Sequence, residues 1–250
     1  MNARSREGGQ AAVETAIVLP LFVFLILGTL QLSLMHQARL MTKYAAYKAV
    51  RAGSIHSANV AQMEKAALGV LLPMLSKSSG GAEYIKTVTS GTDFAAKFTW
   101  PEVNRNLMPD TGMKYAVVTI CGPTTQTAGL SGGGEYDFDD PKNTANDDWD
   151  QGQRTKLRVQ VTFNYRMPIP FADMVLFNLA RARELPSVLR LGKTPQKERA
   201  FKKFEQYDAA ARNRHYILPI RATYTMRMQS NFFLSKNPLP KDNECVFTWN

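Results

Sequence analysis

The residues Gly129-Leu130-Ser131-Gly132-Gly133 match the Gly-x-Ser-x-Gly pattern in which many hydrolases carry a nucleophilic serine. That chemistry needs a strand before the serine and a helix after it, so that the hydroxyl stands on a tight turn. Here a segment rich in glycine and acidic residues follows the motif. The pattern therefore does not predict a catalytic Ser131, and a membrane-bound hydrolase is the weakest interpretation of the chain.

Two other patterns resemble sites for phosphate or metal ions. Gly192-Lys193-Thr194 looks like the end of a phosphate-binding loop, but Ser187 stands where the first glycine is required, and Pro195 removes a helix amide. The three histidines show no metal-ligand spacing: His36, His56 and His215. We therefore predict no catalytic residue, no metal and no cofactor, and a protein that is not an enzyme.

The segment between Gly129 and Gly152 is strongly acidic. It contains seven acidic residues against one lysine: Glu135, Asp137, Asp139, Asp140, Asp147, Asp148 and Asp150, with Lys142. Calcium binding is one interpretation, but Pro141 stands where an EF-hand loop would supply an oxygen ligand, and the required glycine and glutamate are missing. We predict a solvated surface loop.

The composition indicates one membrane helix and one further domain of ordinary size. The chain has 250 residues, 44% of them hydrophobic, and a formal net charge of +10. A basic chain could bind nucleic acid, anionic lipid or acidic protein surfaces. No alternation of basic and aromatic residues typical of nucleic-acid modules is present, so we predict no nucleic acid and favour membrane lipid and protein partners.

The longest apolar stretch is Thr15–Met35, which contains 21 residues and no charge. At about 1.5 Å per residue it is long enough to cross the hydrocarbon core of a bilayer. A cleaved secretory signal fits poorly, because such signals have apolar runs of roughly 7–15 residues followed by small residues at the cleavage site. A plain single-pass anchor and a leader that is cut before a retained helix both remain open.

The same helix is predicted to continue over residues 36–52 and to stop at Gly53, for a total length of about 65 Å from Gln10. Pro20 lies inside the apolar part and should kink it. One face of the continuation carries small and apolar residues at steps of three and four: Leu34, Ala38, Met41, Ala45, Ala49 and Ala52. This face could pack on other helices of the same kind or on the chain's own domain.

The string from Gly9 to Leu21, Gly-Gln-Ala-Ala-Val-Glu-Thr-Ala-Ile-Val-Leu-Pro-Leu, resembles the N-terminus of TadE-like proteins, the pseudopilins of the tight-adherence (Tad) pilus system. The resemblance implies that a prepilin peptidase cuts after Gly9, which leaves Gln10 as the first mature residue and Glu14 as the fifth. It also implies that Glu14 meets the terminal amine of a neighbouring subunit during assembly; a glutamate that lies only in the headgroup region is the alternative. Major pilins of this system carry Glu-Tyr, whereas this chain has Glu14-Thr15, which argues against the major fibre subunit.

Later segments are similar to strands of the same family, namely Val159–Tyr165 with Pro168-Ile169-Pro170, and Ala222–Ser230. From the residue pattern we predict a short helix capped by Asn59, a loop at residues 78–81 and four strands, Tyr84–Thr89, Tyr115–Cys121, Lys156–Tyr165 and Arg221–Met228. Strict alternation in the third strand predicts a half-solvated antiparallel sheet. The predicted fold class is α+β, with a long N-terminal helix followed by a pilin-like domain.

Two helices are predicted between the last two strands. One covers Phe171–Arg183, and the other opens at Thr194-Pro195, with Phe201, Phe204, Tyr207 and Ala211 on its apolar face. The basic residues around the second helix could contact an anionic membrane or a partner. The alternative, which we favour, is that this helix packs on the sheet.

Two observations predict opposite orientations of the chain in the membrane. Arg39, Lys43 and Lys48 follow the apolar stretch, which by the positive-inside rule would place the C-terminal side in the cytoplasm. The family resemblance implies the opposite, with the C-terminal domain periplasmic and the chain in the bacterial cytoplasmic membrane. An oxidising compartment would permit a Cys121–Cys245 disulfide; two separate buried thiols are the alternative.

The sequence thus predicts a leader-like cytoplasmic tail over residues 1–9, a transmembrane helix over 10–35, its continuation over 36–53 and an extracytoplasmic α+β domain over 54–250. The resemblance implies a pseudopilin or minor pilin that helps assemble a Tad-type pilus or related secretion apparatus. Its implied partners are other pilin or pseudopilin subunits, pilus assembly proteins, the prepilin peptidase and membrane lipid. The alternative is a membrane-anchored protein-binding domain with no pilus role.

Overall fold

The computed structural model describes residues 4–79, 82–86, 88–126, 134–140, 149–181 and 205–245. Its first element, α1 (Arg4–Ile55), is one helix of 52 residues that runs through Pro20. The prediction that Gly53 ends this helix is wrong, because the helix continues to Ile55. Gly53 instead permits a close approach: a Cβ atom at this position would stand 2.5 Å from the Met63 Sδ atom.

A tight connection joins α1 to α2 (Val60–Leu71). Ser57 and Ala58 reverse the chain with φ angles of 53° and 57°. The predicted cap is confirmed, because the Asn59 side chain accepts a hydrogen bond of 3.2 Å from the Gln62 backbone amide. The buried face of α2 contains Met63, Ala67, Leu68 and Leu71. A short 3₁₀ turn, Leu72–Met74, follows it.

The next segment differs most from the sequence prediction. Strands β1 (Ser76–Ser79) and β2 (Ala82–Ile85) form an antiparallel hairpin, so the predicted loop begins too early and the predicted strand Tyr84–Thr89 extends too far. Two short helices that the sequence did not predict come next, α3 (Gly91–Phe98) and α4 (Pro101–Asn104). Ser90 caps the start of α3, because its hydroxyl oxygen accepts a hydrogen bond from the Asp93 backbone amide. The extended chain therefore ends at this residue.

The central sheet has three antiparallel strands, in the order β3-β5-β6. They are β3 (Ala116–Gly122), β5 (Lys156–Arg166) and β6 (Ile217–Arg227), which confirms the last three predicted strands. In the register, Val118 pairs with Val161, and Val161 pairs with Ala222. The long β5 strand is therefore the middle of the sheet and carries most of its core.

One face of the sheet packs against the second half of α1. The apolar side chains of β5 that the alternation predicted to share a face are all buried: Leu157, Val159, Val161 and Phe163. Ala38, Ala45 and Ala49 on α1 are also fully buried. The small-residue face of α1 thus packs on the chain's own domain, which is one of the two partners that the sequence left open.

The other face of the sheet is covered in part by α7 (Glu205–Arg212). The buried Tyr207 hydroxyl donates a 2.7 Å hydrogen bond to Asn164 Oδ1 on β5. Gln160 and Asn164 are buried as well, so the prediction of a solvated second face is wrong at these two residues. The expected start of this helix at Thr194-Pro195 and its Phe201 and Phe204 lie outside the described residues.

Smaller elements surround the sheet. They are α5 (Trp149–Arg154), α6 (Ala172–Arg181) and the paired strands β4 (Glu135–Tyr136) and β7 (Phe232–Phe233). The predicted acidic loop therefore contains a short strand and the start of a helix, while residues 127–133 and 141–148 lie outside the described residues. The whole arrangement, a long apolar helix followed by further helices and an antiparallel sheet, confirms the α+β class.

Candidate membrane and assembly interface

The first half of α1 is apolar and exposed. The large apolar side chains between Val13 and Ile26 are all substantially exposed, among them Ile17, Leu21 and Phe22. Within the described part of the chain, α1 is the one helix long and apolar enough to cross a membrane. A surface of this size would be unfavourable in water, so this half of α1 requires an apolar environment.

Gln31 marks the point at which α1 enters its own domain. Its side chain is fully buried, and its Oε1 atom accepts a 3.1 Å hydrogen bond from the backbone amide of Ile169. Gln31 lies 16 residues after Thr15, which is about 24 Å along the helix axis. The hydrocarbon core of a bilayer is about 30 Å thick. The domain therefore begins close to where a membrane-spanning segment of α1 would leave the hydrocarbon.

The Gln31 amide also faces Tyr165 on β5. Burial raises the pKa of the Tyr165 hydroxyl to about 12. A polar residue inside an otherwise apolar stretch is a signal that sequence reasoning could have used to find Gln31, because such residues usually have a buried partner.

Glu14 lies at the opposite end of the exposed apolar segment from Gln31. Its side chain is exposed, and 17 residues of helix, or about 26 Å, separate it from Gln31. Gly9 and Gln10 belong to the first turns of the same helix, and Gln10 lies one turn before Glu14. The structure thus places the residues implied in processing and assembly at one end of α1, and the domain at the other.

The C-terminal end of α1 is bound to the domain by polar contacts from distant segments. The Ser54 carbonyl oxygen accepts hydrogen bonds from the Gln229 amide at 3.0 Å and from the Ser230 hydroxyl at 2.9 Å. The Asn237 amide group donates to the Ser57 carbonyl oxygen. Carbonyl groups that a helix end leaves without partners are satisfied in this way, and the bonds attach the segments after β6 to the end of α1.

Cys121 and Cys245 form a disulfide with 5.4 Å between their Cα atoms. It joins the end of β3 to the C-terminal segment, which also bonds to the chain after β3 through the Thr125 amide and the Pro240 carbonyl. The C-terminal segment is therefore held on the edge strand of the sheet.

A polar cluster that sequence reasoning missed closes one end of the sheet. Arg166, at the end of β5, contacts Asp110 Oδ2 at 2.6 Å through Nη1 and His215 Nδ1 at 2.6 Å through Nη2. The Arg166 side chain is almost fully buried. The three residues come from distant parts of the chain, so no spacing in the sequence could have revealed them, and they join the segments before β3 and β6 to β5.

The candidates for catalysis gain no support. Ser131 and the Gly192-Lys193-Thr194 segment lie outside the described residues. His36 and His56 are exposed, and His56 Nδ1 contacts the Ala52 carbonyl oxygen of its own helix. In the described ranges no group of three His, Cys, Asp or Glu side chains could hold a metal ion.

These features define a protein with an N-terminal apolar helix whose second half packs into an α+β domain. Residues 9–51 match the family model described as TadE-like protein, which confirms the family resemblance for α1. The matched segment covers most of α1 and none of the sheet. No match was found among curated proteins or among solved structures.

Proposed function

We propose that this protein is a TadE-like pseudopilin or minor pilin that takes part in assembling a Tad-type pilus or a related secretion apparatus at the bacterial cytoplasmic membrane. The observation that carries the proposal is the family match over residues 9–51 on a helix whose first half is exposed and apolar. Its role is structural rather than catalytic.

In this proposal the two halves of α1 have different tasks. The half before Gln31 lies in the bilayer, and after extraction from it packs against the corresponding helices of neighbouring subunits. Glu14 pairs with the terminal amine of a neighbour, because a carboxylate at the edge of an apolar helix is costly to bury without an opposite charge. The domain beyond Gln31 selects the protein partners, which are other pilin or pseudopilin subunits and assembly proteins.

The domain lies outside the cytoplasm in this proposal. The Cys121–Cys245 disulfide supports that orientation, because disulfides persist in oxidising compartments and are rare in the cytoplasm. The basic residues after the apolar stretch favour the opposite orientation by the positive-inside rule. Protease accessibility of the domain in intact spheroplasts distinguishes the two, since only an extracytoplasmic domain is cut.

The mature N-terminus is the decisive measurement for the pilin-type role. Mass spectrometry of the protein from its native membrane should show loss of Met1–Gly9, with Gln10 first. Gly9→Leu should block this cut, while Gly8→Leu, a change of the neighbouring glycine, serves as the matched control and should leave it intact. An uncut parent chain would refute prepilin-type processing and leave an ordinary membrane anchor with a partner-binding domain.

A further inference from the structure

The helix α6 carries a row of exposed apolar side chains. Within the described residues, Phe171, Met174, Val175 and Leu179 are exposed by 72%, 43%, 38% and 63%. Met174, Val175 and Leu179 share one side of the helix with the exposed Asn178, and Phe171 directly precedes the helix. Exposed apolar side chains grouped on the surface of a domain mark contacts with apolar partners.

The opposite side of α6 is fixed to the domain. Phe177, which lies about half a turn from Val175 and Leu179, is buried, with its ring centroid 5.5 Å from that of Tyr216. Phe171, immediately before the helix, has a left-handed backbone with a φ angle of 69°. A bulky residue in this conformation is uncommon. The Phe171 side chain is also the most exposed of the row. The Phe177–Tyr216 contact thus attaches α6 to the residue that precedes β6.

The position of α6 along α1 identifies the partner. Ile169, three residues before α6, donates its amide hydrogen to Gln31, about 24 Å from Thr15 along α1. At this level α1 itself exposes Leu30 and Leu32 by about half of their surface. The start of α6 thus lies at the level of α1 where the hydrocarbon core of a bilayer would end.

We propose that α6 is a second membrane contact, whose row from Phe171 to Leu179 enters the interface of the lipid leaflet that surrounds the end of the α1 span. This proposal rests on the membrane anchoring of α1 proposed above. Amphipathic helices lie in this interface with their apolar side among the first acyl carbons. With contacts at α1 and α6, the domain rests on the bilayer in one tilt and one rotation about α1, instead of turning freely on a single helix.

Nitroxide accessibility of the full-length protein in vesicles of phosphatidylethanolamine and phosphatidylglycerol tests the proposal. Both native cysteines are in the disulfide, so an added cysteine is the single free thiol for a spin label. Met174→Cys and Leu179→Cys are the test positions. We expect their labels to collide with oxygen, which concentrates in lipid, and to lose collisions with a water-soluble nickel chelate.

Tyr224→Cys is the matched control, because Tyr224 is exposed by 43%, the same fraction as Met174. Its ring lies 5.3 Å from that of Tyr47, which is 16 residues, or about 24 Å, beyond Gln31 along α1. The label at this position should collide with nickel and not preferentially with oxygen.

Phe22→Cys, in the exposed apolar half of α1, separates the two proposals. If the label at Phe22 is in lipid but those at Met174 and Leu179 collide freely with nickel, the inference about α6 is wrong and the anchoring stands. Shielding of Met174 and Leu179 from both reagents would show that protein covers α6, and would also overturn the inference. A water-exposed label at Phe22 would overturn the anchoring itself.

Discussion

Gly53 of α1 and Leu157 of β5 lie so close that a Cβ atom at Gly53 would stand 2.7 Å from Leu157 Cδ2. The same atom would stand 2.5 Å from Met63 Sδ on α2. Gly53 is thus the point at which α1, α2 and the central strand meet. Any side chain there must displace two core residues at once, since protein interiors hold little free space.

We expect Gly53→Ala to lower the free energy of unfolding by about 1–3 kcal/mol through overpacking, despite the higher helix propensity of alanine. Gly69→Ala in α2 is the control, because no atom lies within 4 Å of a Cβ placed there. This control should be neutral or stabilising by about 1 kcal/mol. Thermal unfolding in detergent measures both, and equal stabilities for the two variants would contradict the role of Gly53.

The hydrogen bond between Tyr207 and Asn164 fastens α7 to the sheet. Tyr207→Phe leaves the buried Asn164 Oδ1 without this donor, so we expect a loss of about 1–3 kcal/mol in the free energy of unfolding. Tyr224→Phe removes the hydroxyl of an exposed tyrosine and should change stability by less than about 0.5 kcal/mol. Equal effects of the two changes on denaturant unfolding would argue against α7 as a fixed cover of the sheet.

We expect the buried Lys97 of α3 to make the stability depend on pH. Its Nζ atom donates to the carbonyl oxygens of Leu75 at 3.0 Å and Lys86 at 2.9 Å. Burial lowers the pKa of Lys97 from 10.5 to about 8, and the positive charge of Lys86 contributes a smaller part of this shift. The folded protein releases this proton at lower pH than the unfolded chain does, so the contribution of Lys97 to stability rises as pH rises from about 8 to about 10.5.

Lys97→Met should therefore reduce the slope of unfolding free energy against pH over this range. Lys65→Met, which changes an exposed lysine on α2, should keep the slope of the parent. Urea unfolding at a series of pH values provides the measurement. A slope that is unchanged by Lys97→Met would show that another group titrates.

Glu14 is expected to act in assembly and not in membrane insertion. Glu14→Ala should leave the amount of membrane-bound protein unchanged and reduce its incorporation into the pilus apparatus about tenfold, as for the loss of about 1.4 kcal/mol of intersubunit binding. Thr15→Ala, at the next residue, is the control and should have little effect. Co-purification with the assembled apparatus measures incorporation, and normal incorporation of Glu14→Ala would refute the proposed pairing.

Local patterns in the sequence were sufficient for several elements. The uncharged run from Thr15 to Met35 predicted an apolar helix, the cap at Asn59 predicted the start of α2, and the alternation of Lys156–Tyr165 predicted the central strand. Each of these signals depends on residues within a few positions of one another, so backbone preference and periodicity are enough to determine the outcome. The family match over residues 9–51 depends on the same local segment.

Tertiary structure alone decided the rest. Gly53 serves close packing and not helix termination, Gln31 receives a hydrogen bond from Ile169, and Arg166 joins Asp110 to His215. The partners in these contacts are separated by ten to well over a hundred residues, so their meeting depends on how the elements pack and not on any local preference. The sequence by itself therefore determined the apolar helix and the three strands of the central sheet. Packing determined where the domain begins on that helix and which of its surfaces remain exposed.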